Sequence, residues 1–192
     1  MTALSEKALS SELGLGVQPI RDAIKRLELE HLVSVFPRRG TFVAELGMRD
    51  ARLIDEMRLG LEILCAELAA VRASADEREE LVRLAEANKT AVGREAIVGD
   101  TALHRHLYAM AHNHFLEAAL NQHLNLALRV WYYSDQEMSL PIDSLEADQT
   151  ALAYAVRDRD PQAARAAMTL HISKNSSGLQ DAIEQDSFNF RP

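Results

Sequence analysis

The chain has 192 residues, of which 47% are hydrophobic and 26% charged, and it carries a formal net charge of −8. This is the profile of a soluble globular protein of one or two small domains. The most apolar stretch, Leu59 to Val71, is interrupted by Glu62 and Glu67, which excludes a membrane span, and the single Cys65 excludes an internal disulfide framework and suits a reducing cytoplasm.

Read globally, the acidic balance argues against nucleic acid, but the charge is unevenly spread. Residues 1 to 45 hold six basic side chains (Lys7, Arg21, Lys25, Arg26, Arg38, Arg39) and six acidic ones (Glu6, Glu12, Asp22, Glu28, Glu30, Glu45). That head is neutral with basic spots, and the rest of the chain holds the whole −8.

In the head, Leu4 to Leu9 opens a helix with Ser5 as N-cap and Ala8, Leu9 and Leu13 as its apolar face. Gly14-Leu15-Gly16 breaks it, and Pro19 suits the first turn of a second helix whose buried stripe is Ile20, Ala23, Ile24 and Leu27. Two short helices joined by a glycine turn form a helix-turn-helix. His31 to Phe36 and Thr41 to Val43 read as two short strands around the turn Pro37-Arg38-Arg39-Gly40, a hairpin with a basic tip. Alone, Arg38 and Arg39 would read as a solvated loop. Directly after a helix-turn-helix, contact with DNA phosphate or the minor groove is the better reading.

From Met48 onward the pattern is helical. Leu53, Ile54, Met57, Leu61, Leu64 and Leu68 predict one apolar stripe, with Cys65 a buried, inert thiol among them. Ser74 and Asp76 mark the start of a second helix, Asn88 to Gly99 reads as a polar connection, and Asp100 begins a third helix with Leu103, Leu107 and Met110 on its apolar side. Phe115 to Trp131 predicts one or two more helices, Pro141 a break, and Asp143 to Arg159 and Pro161 to about Leu179 two further helices. Six or seven antiparallel helices fit the length.

Within this body Asp100 and His104 stand four apart, so a helix stacks them on one face. A carboxylate and an imidazole so placed can grip a divalent metal ion, and they can equally form a plain surface pair. Arg58 stands four residues before Glu62, the spacing of a surface ion pair. His31, His106, His112, His114 and His123 read as structural.

The head resembles the GntR family of bacterial transcription regulators. The resemblance is carried by Ser5-Glu6-Lys7-Ala8-Leu9, Glu12-Leu13-Gly14, Pro19-Ile20-Arg21-Asp22-Ala23, Arg26-Leu27-Glu28, His31-Leu32-Val33 and Arg39-Gly40-Thr41-Phe42-Val43. It implies a winged helix-turn-helix over residues 1–46, with Arg21, Lys25, Arg38, Arg39, Gly40 and Thr41 at DNA. Family members carry a further helix before the segment matching Leu4, so an incomplete and weakly binding head is expected. They also carry Arg where Val17 stands, so operator preference does not transfer from relatives.

The body resembles the ligand-sensing FCD domain of the FadR-type subfamily. Here the resemblance rests on Glu56-Met57-Arg58 with Leu61-Glu62, on Asp100-Thr101-Ala102-Leu103-His104, on Asn113, and on Asp160-Pro161 through His171-Ile172. It implies an all-α effector-binding domain over residues 47–180 followed by a tail, 181–192. In metal-binding members one Asp and three His ligate, which places Asp100, His104 and His171 at the metal and Gln149 where the remaining His stands. Gln is a weak ligand for Zn²⁺, Mn²⁺ or Ni²⁺. Arg58 is then the clamp for a small carboxylate effector, lined by Asn113 and Tyr133. The function expected is a cytoplasmic, homodimeric DNA-binding transcription regulator controlled by an organic acid, with no membrane partner and no enzymatic activity. Two alternatives are a metal-dependent enzyme using Asp100, His104 and His171, for which no HExxH, Ser-His-Asp or Cys-His pattern is present, and a sensing module with a degenerate head.

Overall fold

The computed structural model describes residues 2–46, 48–138 and 146–186, with side chains described for all of these except 48, 130–138, 146–148 and 175–186. The chain forms two compact units, Met1–Arg49 and Asp50–Pro192.

In the first unit, α1 (Glu6–Leu13) starts at Ser5, whose side chain accepts from the Ala8 amide, and ends at Gly14. Gly14 takes φ +65°, a conformation open to glycine at little cost. Helix α2 (Val17–Leu29) follows, with Pro19 in its first turn. Ile20 and Ile24 pack with Val33, and Leu4, Leu9 and Leu27 cover that cluster. Ala23, expected on the same stripe, faces solvent, as do Ala8 and Leu13. Strands β2 (Val33–Phe36) and β3 (Gly40–Val43) form the hairpin, with Val33 opposite Val43 and Phe36 opposite Gly40.

A short strand, β1 (Ala3–Leu4), pairs antiparallel with β3, giving the sheet order β1-β3-β2. The sequence reading placed Leu4 at the opening of a helix. Ser5 is extended (φ −98°, ψ 113°), as an N-cap must be, so the residues before it run as a strand. Two residues are too few to show a period of two.

Among the described residues the second unit holds six helices: α3 (Met48–Arg72), α4 (Ala75–Asn88), α5 (Arg94–Met110), α6 (His114–Met138), α7 (Glu146–Arg157) and α8 (Pro161–Asp186). Helix α4 begins with a full capping box, Ser74 and Glu77 each satisfying the other's backbone amide. The stretch from Phe115 to Trp131 lies within one continuous helix, and α8 extends through the expected start of the tail to Asp186. The break expected at Pro141 lies outside the described residues.

Two expectations are corrected. First, α5 begins at Arg94, so Asp100 sits in its second turn rather than at its start. Ala96 stands seven residues before Leu103 and Ile97 seven before His104, and all four are buried, so the helical period continues back through Gly99. Second, α3 buries only part of the expected stripe. Ile54 and Cys65 are buried and Leu61 and Leu68 pack on the core as expected, but Leu53, Met57 and Leu64 are 48%, 44% and 44% exposed, and Arg58, Glu62, Ala66 and Ala69 share the buried face. The buried face contains an ion pair, which hydrophobic periodicity reads as polar surface. Farther along it carries Ala66, Ala69 and Ala70, and Ala73 follows just past its end; these small side chains let the core of Leu81, Leu103, Leu107, Leu120, Leu152, Val156 and Met168 pack closely.

Candidate functional site

In the head, the basic residues are held by local structure. Arg21 Nε donates to Glu6 Oε2 at 2.7 Å, joining α2 to α1, and Lys25 lies 3.9 Å from Asp22. Both cations remain largely exposed. At the wing, the Arg39 amide donates to the Phe36 carbonyl at 3.0 Å across Pro37 and Arg38, and Arg38 has φ +65°. Proline followed by a left-handed residue is the pattern of a type II turn, where glycine or asparagine normally stands. The Arg39 guanidinium stacks 5.7 Å from the Phe36 ring centre. Arg38, Arg39 and Gly40 are exposed. Thr41, expected at DNA, is buried, its backbone paired between Leu4 and Val35.

In the helical unit, α5 and α8 bring three groups to one point. His104 Nε2 lies 3.0 Å from His171 Nε2 and 3.5 Å from Asp100 Oδ1, and His171 Nε2 lies 3.8 Å from that same oxygen. Donor atoms of all three lie within 4.8 Å of one another. Both imidazoles are almost completely buried. The Asp100–His104 spacing is thus part of an interior cluster, and the surface-pair reading falls.

Behind His104 stands a second layer. Its Nδ1 lies 3.1 Å from Glu62 Oε2, and Arg58 Nε donates to Glu62 Oε1 at 2.6 Å. The Tyr108 hydroxyl lies 3.4 Å from the same Nδ1. The surface-pair reading of Arg58 and Glu62 is corrected here: both are buried, and the pair backs onto His104. Burial favours the neutral carboxyl on Glu62, but the Arg58 guanidinium and His104 outweigh it and hold Glu62 well below the usual carboxylate range. Burial likewise opposes charge on His104, and Glu62 and Asp100 overcome it, raising the imidazole pKa to about 10. His171 moves the other way, to about 4, through burial and then the neighbouring His104 charge. Asp100 is half-buried; desolvation opposes its charge, but His104 and then His171 outweigh it and lower its pKa.

Gln149 on α7 reaches the cluster, but through its nitrogen. Its Nε2 donates to Asp100 Oδ1 at 2.6 Å, and its Oε1 accepts from Asn88 Nδ2 at 2.8 Å. The family resemblance implied Gln149 at the metal as a weak ligand. Asn113 accepts from the Leu116 amide at 3.3 Å and so caps α6. The Tyr133 side chain lies outside the described residues. Of the histidines read as structural, His106 contacts the Glu77 carbonyl at 2.8 Å and His112 the Glu77 carboxylate at 3.2 Å. Cys65 is fully buried, its thiol donates toward the Leu107 carbonyl, and burial pushes its pKa up.

Two residues of this site escaped sequence reasoning, while Glu62 was paired with Arg58 but read as surface. Tyr108 stands four residues from His104, and that spacing could have found it. Asn88 carries no local signal, because its partner is 61 residues away.

Residues 54–174 match the FCD domain and residues 2–43 match the bacterial regulatory proteins of the gntR family. The chain belongs to the GntR family, in the group that carries an FCD domain. It is therefore a transcription regulator with a DNA-binding helix-turn-helix and an effector-binding domain, and not an enzyme, which sets aside the metalloenzyme alternative. Among similar GntR-type proteins, the HTH-type transcriptional repressor RspR of Escherichia coli (strain K12) is 25% identical over 97% of this chain and 83% of its own. The HTH-type transcriptional repressor GlaR of the same strain is 29% identical over 91% and 84%. The fold is shared with E. coli McbR/YncC (TM-score 0.78, 22% identity, 94% and 89% coverage) and with a GntR family member from Pseudomonas syringae pv. tomato (TM-score 0.66, 23% identity, 98% and 80%). No helix among the described residues is long and apolar enough to cross a membrane.

Proposed function

We propose that this GntR regulator senses a small carboxylate through a divalent metal held by Asp100, His104 and His171 in its FCD domain. The observation that carries the reading is the convergence of two imidazole nitrogens and a carboxylate oxygen in the interior, with Glu62 behind His104. A carboxylate 3.1 Å from Nδ1 favours the proton on that nitrogen, which leaves the Nε2 lone pair for the cluster. Two imidazoles and one carboxylate suit Zn²⁺, Mn²⁺ or Ni²⁺. The residues therefore fit a metal ion. Such an ion supplies a positive centre on which a carboxylate can settle. Arg58 adds a second positive charge nearby, with its Nε engaged by Glu62 and further N–H donors on its guanidinium.

The same proposal has the head bind operator DNA through Arg21, Lys25, Arg38, Arg39 and the exposed backbone at Gly40, in the cytoplasm where that DNA lies. A homodimer accounts for two-fold sites. Support for it comes from α3, whose outward Leu53, Met57 and Leu64 form an apolar strip that a second copy would cover.

Elemental analysis before and after chelation tests the metal reading, and a thermal-shift screen of carboxylic acids on loaded protein tests the effector. About one metal per chain, with acid-dependent stabilisation that vanishes on chelation, is expected. Metal-free protein that gains nothing from added Zn²⁺, Mn²⁺ or Ni²⁺ overturns the metal reading. Sedimentation of Leu64→Glu against the parent tests the dimer: a monomeric variant is expected, and an unchanged mass removes the α3 strip from the interface.

A further inference from the structure

We infer that Gln149 is a positioning residue for Asp100, locked by Asn88, and that the metal centre is a two-histidine, one-carboxylate set whose remaining positions are left open. This rests on the metal reading above and goes beyond it.

The orientation of Gln149 carries the argument. A carboxamide that ligates presents its oxygen, but Gln149 Oε1 is turned to Asn88 Nδ2 (2.8 Å) and its nitrogen to Asp100 Oδ1 (2.6 Å). Turning the amide over would set its oxygen against the Asp100 carboxylate and its NH₂ against the Asn88 NH₂. Both ends would then be repulsive, so the bonding pattern assigns the amide one way round. For Gln149 to ligate, Asn88 would have to turn as well.

Asn88 is held against that turn. It is 5% exposed and wedged against Gly99, where an added Cβ would collide with its carboxamide. Its Oδ1 has no hydrogen-bond partner among the described residues. Turning Asn88 would exchange that orphan acceptor for an orphan donor, and buried unpaired donors are the rarer of the two. Asn88 therefore keeps its nitrogen toward Gln149. The chain Asn88–Gln149–Asp100 joins α4, α7 and α5 and fixes the carboxylate oxygen that lies 3.5 Å and 3.8 Å from the two imidazole nitrogens. Two histidines and a carboxylate with open positions leave room for water and for a ligand with more than one donor atom.

The test loads full-length protein with Mn²⁺, counts inner-sphere water by water-proton relaxation and measures affinity by chelator competition. Gln149→Ala is expected to weaken Mn²⁺ about tenfold, the low end for a group supporting a ligand, with the bound-water count unchanged. Asn88→Ala is expected to weaken it similarly, and the double variant no further than either single. Gln149→His is expected to lose one bound water and tighten Zn²⁺. One additional bound water in Gln149→Ala, or losses that multiply in the double variant, overturns the inference while leaving the metal reading intact. Wild-type protein that binds no Mn²⁺, Zn²⁺ or Ni²⁺ overturns the metal reading itself. Should Asn88→Ala not fold, the water count in Gln149→Ala decides alone.

Discussion

Arg58 and Glu62 form an ion pair 2.6 Å long in which neither side chain is more than 3% exposed. Such a pair is costly to break, because the surviving charge stays buried. Glu62→Gln is expected to destabilise the FCD domain by about 3–5 kcal/mol. Replacing both partners with apolar residues of similar size should cost far less. Urea denaturation of the single and double variants checks this, and a smaller loss in the single than in the double would refute it.

The two buried histidines give the metal-free protein opposite pH responses. His104, raised to about 10, contributes stability that is complete below its unfolded value of about 6.5 and is lost as pH rises toward 10. His171, lowered to about 4, contributes stability that is complete above about 6.5 and is lost as pH falls toward 4. Stability in chelator should therefore peak near neutral pH and fall on both sides. Melting temperatures from pH 4 to 10 test it, with a monotonic profile as the contrary result. Ligation requires His104 to give up a proton, so metal binding near pH 7.5 should release about one proton, seen as a buffer-dependent heat in calorimetry.

Gly99 inverts an ordinary rule. Glycine to alanine inside a helix is normally stabilising by up to about 1 kcal/mol. Here the added methyl meets the Asn88 carboxamide, so Gly99→Ala should destabilise by about 1–3 kcal/mol and weaken the metal. Thermal unfolding and chelator competition on the one variant check both effects.

Arg38 occupies a left-handed position that costs a non-glycine residue about 1–2 kcal/mol. Arg38→Gly should stabilise the head by about that much and weaken operator binding, reducing the salt slope of affinity by about one phosphate contact. Fluorescence anisotropy at several salt concentrations measures this. Unchanged affinity and slope would remove Arg38 from the DNA contact.

Local signals were legible in the chain itself. Ser5, Gly14, Ser74 and Pro161 act within one turn of where they stand, and each marks the element it was read to mark. The Asp100–His104 pair was legible for the same reason. What failed depended on packing that a local pattern does not carry. Half of the α3 stripe was misread because Arg58 and Glu62 neutralise each other on the inner face, which leaves Leu53, Met57 and Leu64 on the outer one. The start of α5 was misread because Asn88 to Gly99 was taken as one polar connection, whereas Gly99 lies within the helix, where its missing side chain leaves room for Asn88 from α4. The orientation of Gln149 follows from that same contact and has no trace in its own neighbourhood.

The burial of Cys65 has a practical side. The chain's one thiol is inaccessible and held in its unreactive form, so the native protein offers almost no background to thiol reagents. A cysteine introduced at Leu29 in the head or at Val92 in the body, 75% and 66% exposed, would take a spectroscopic tag without removal of the natural one. A tag at each of the two positions would then report whether the distance between head and body changes when a metal or a carboxylic acid is added.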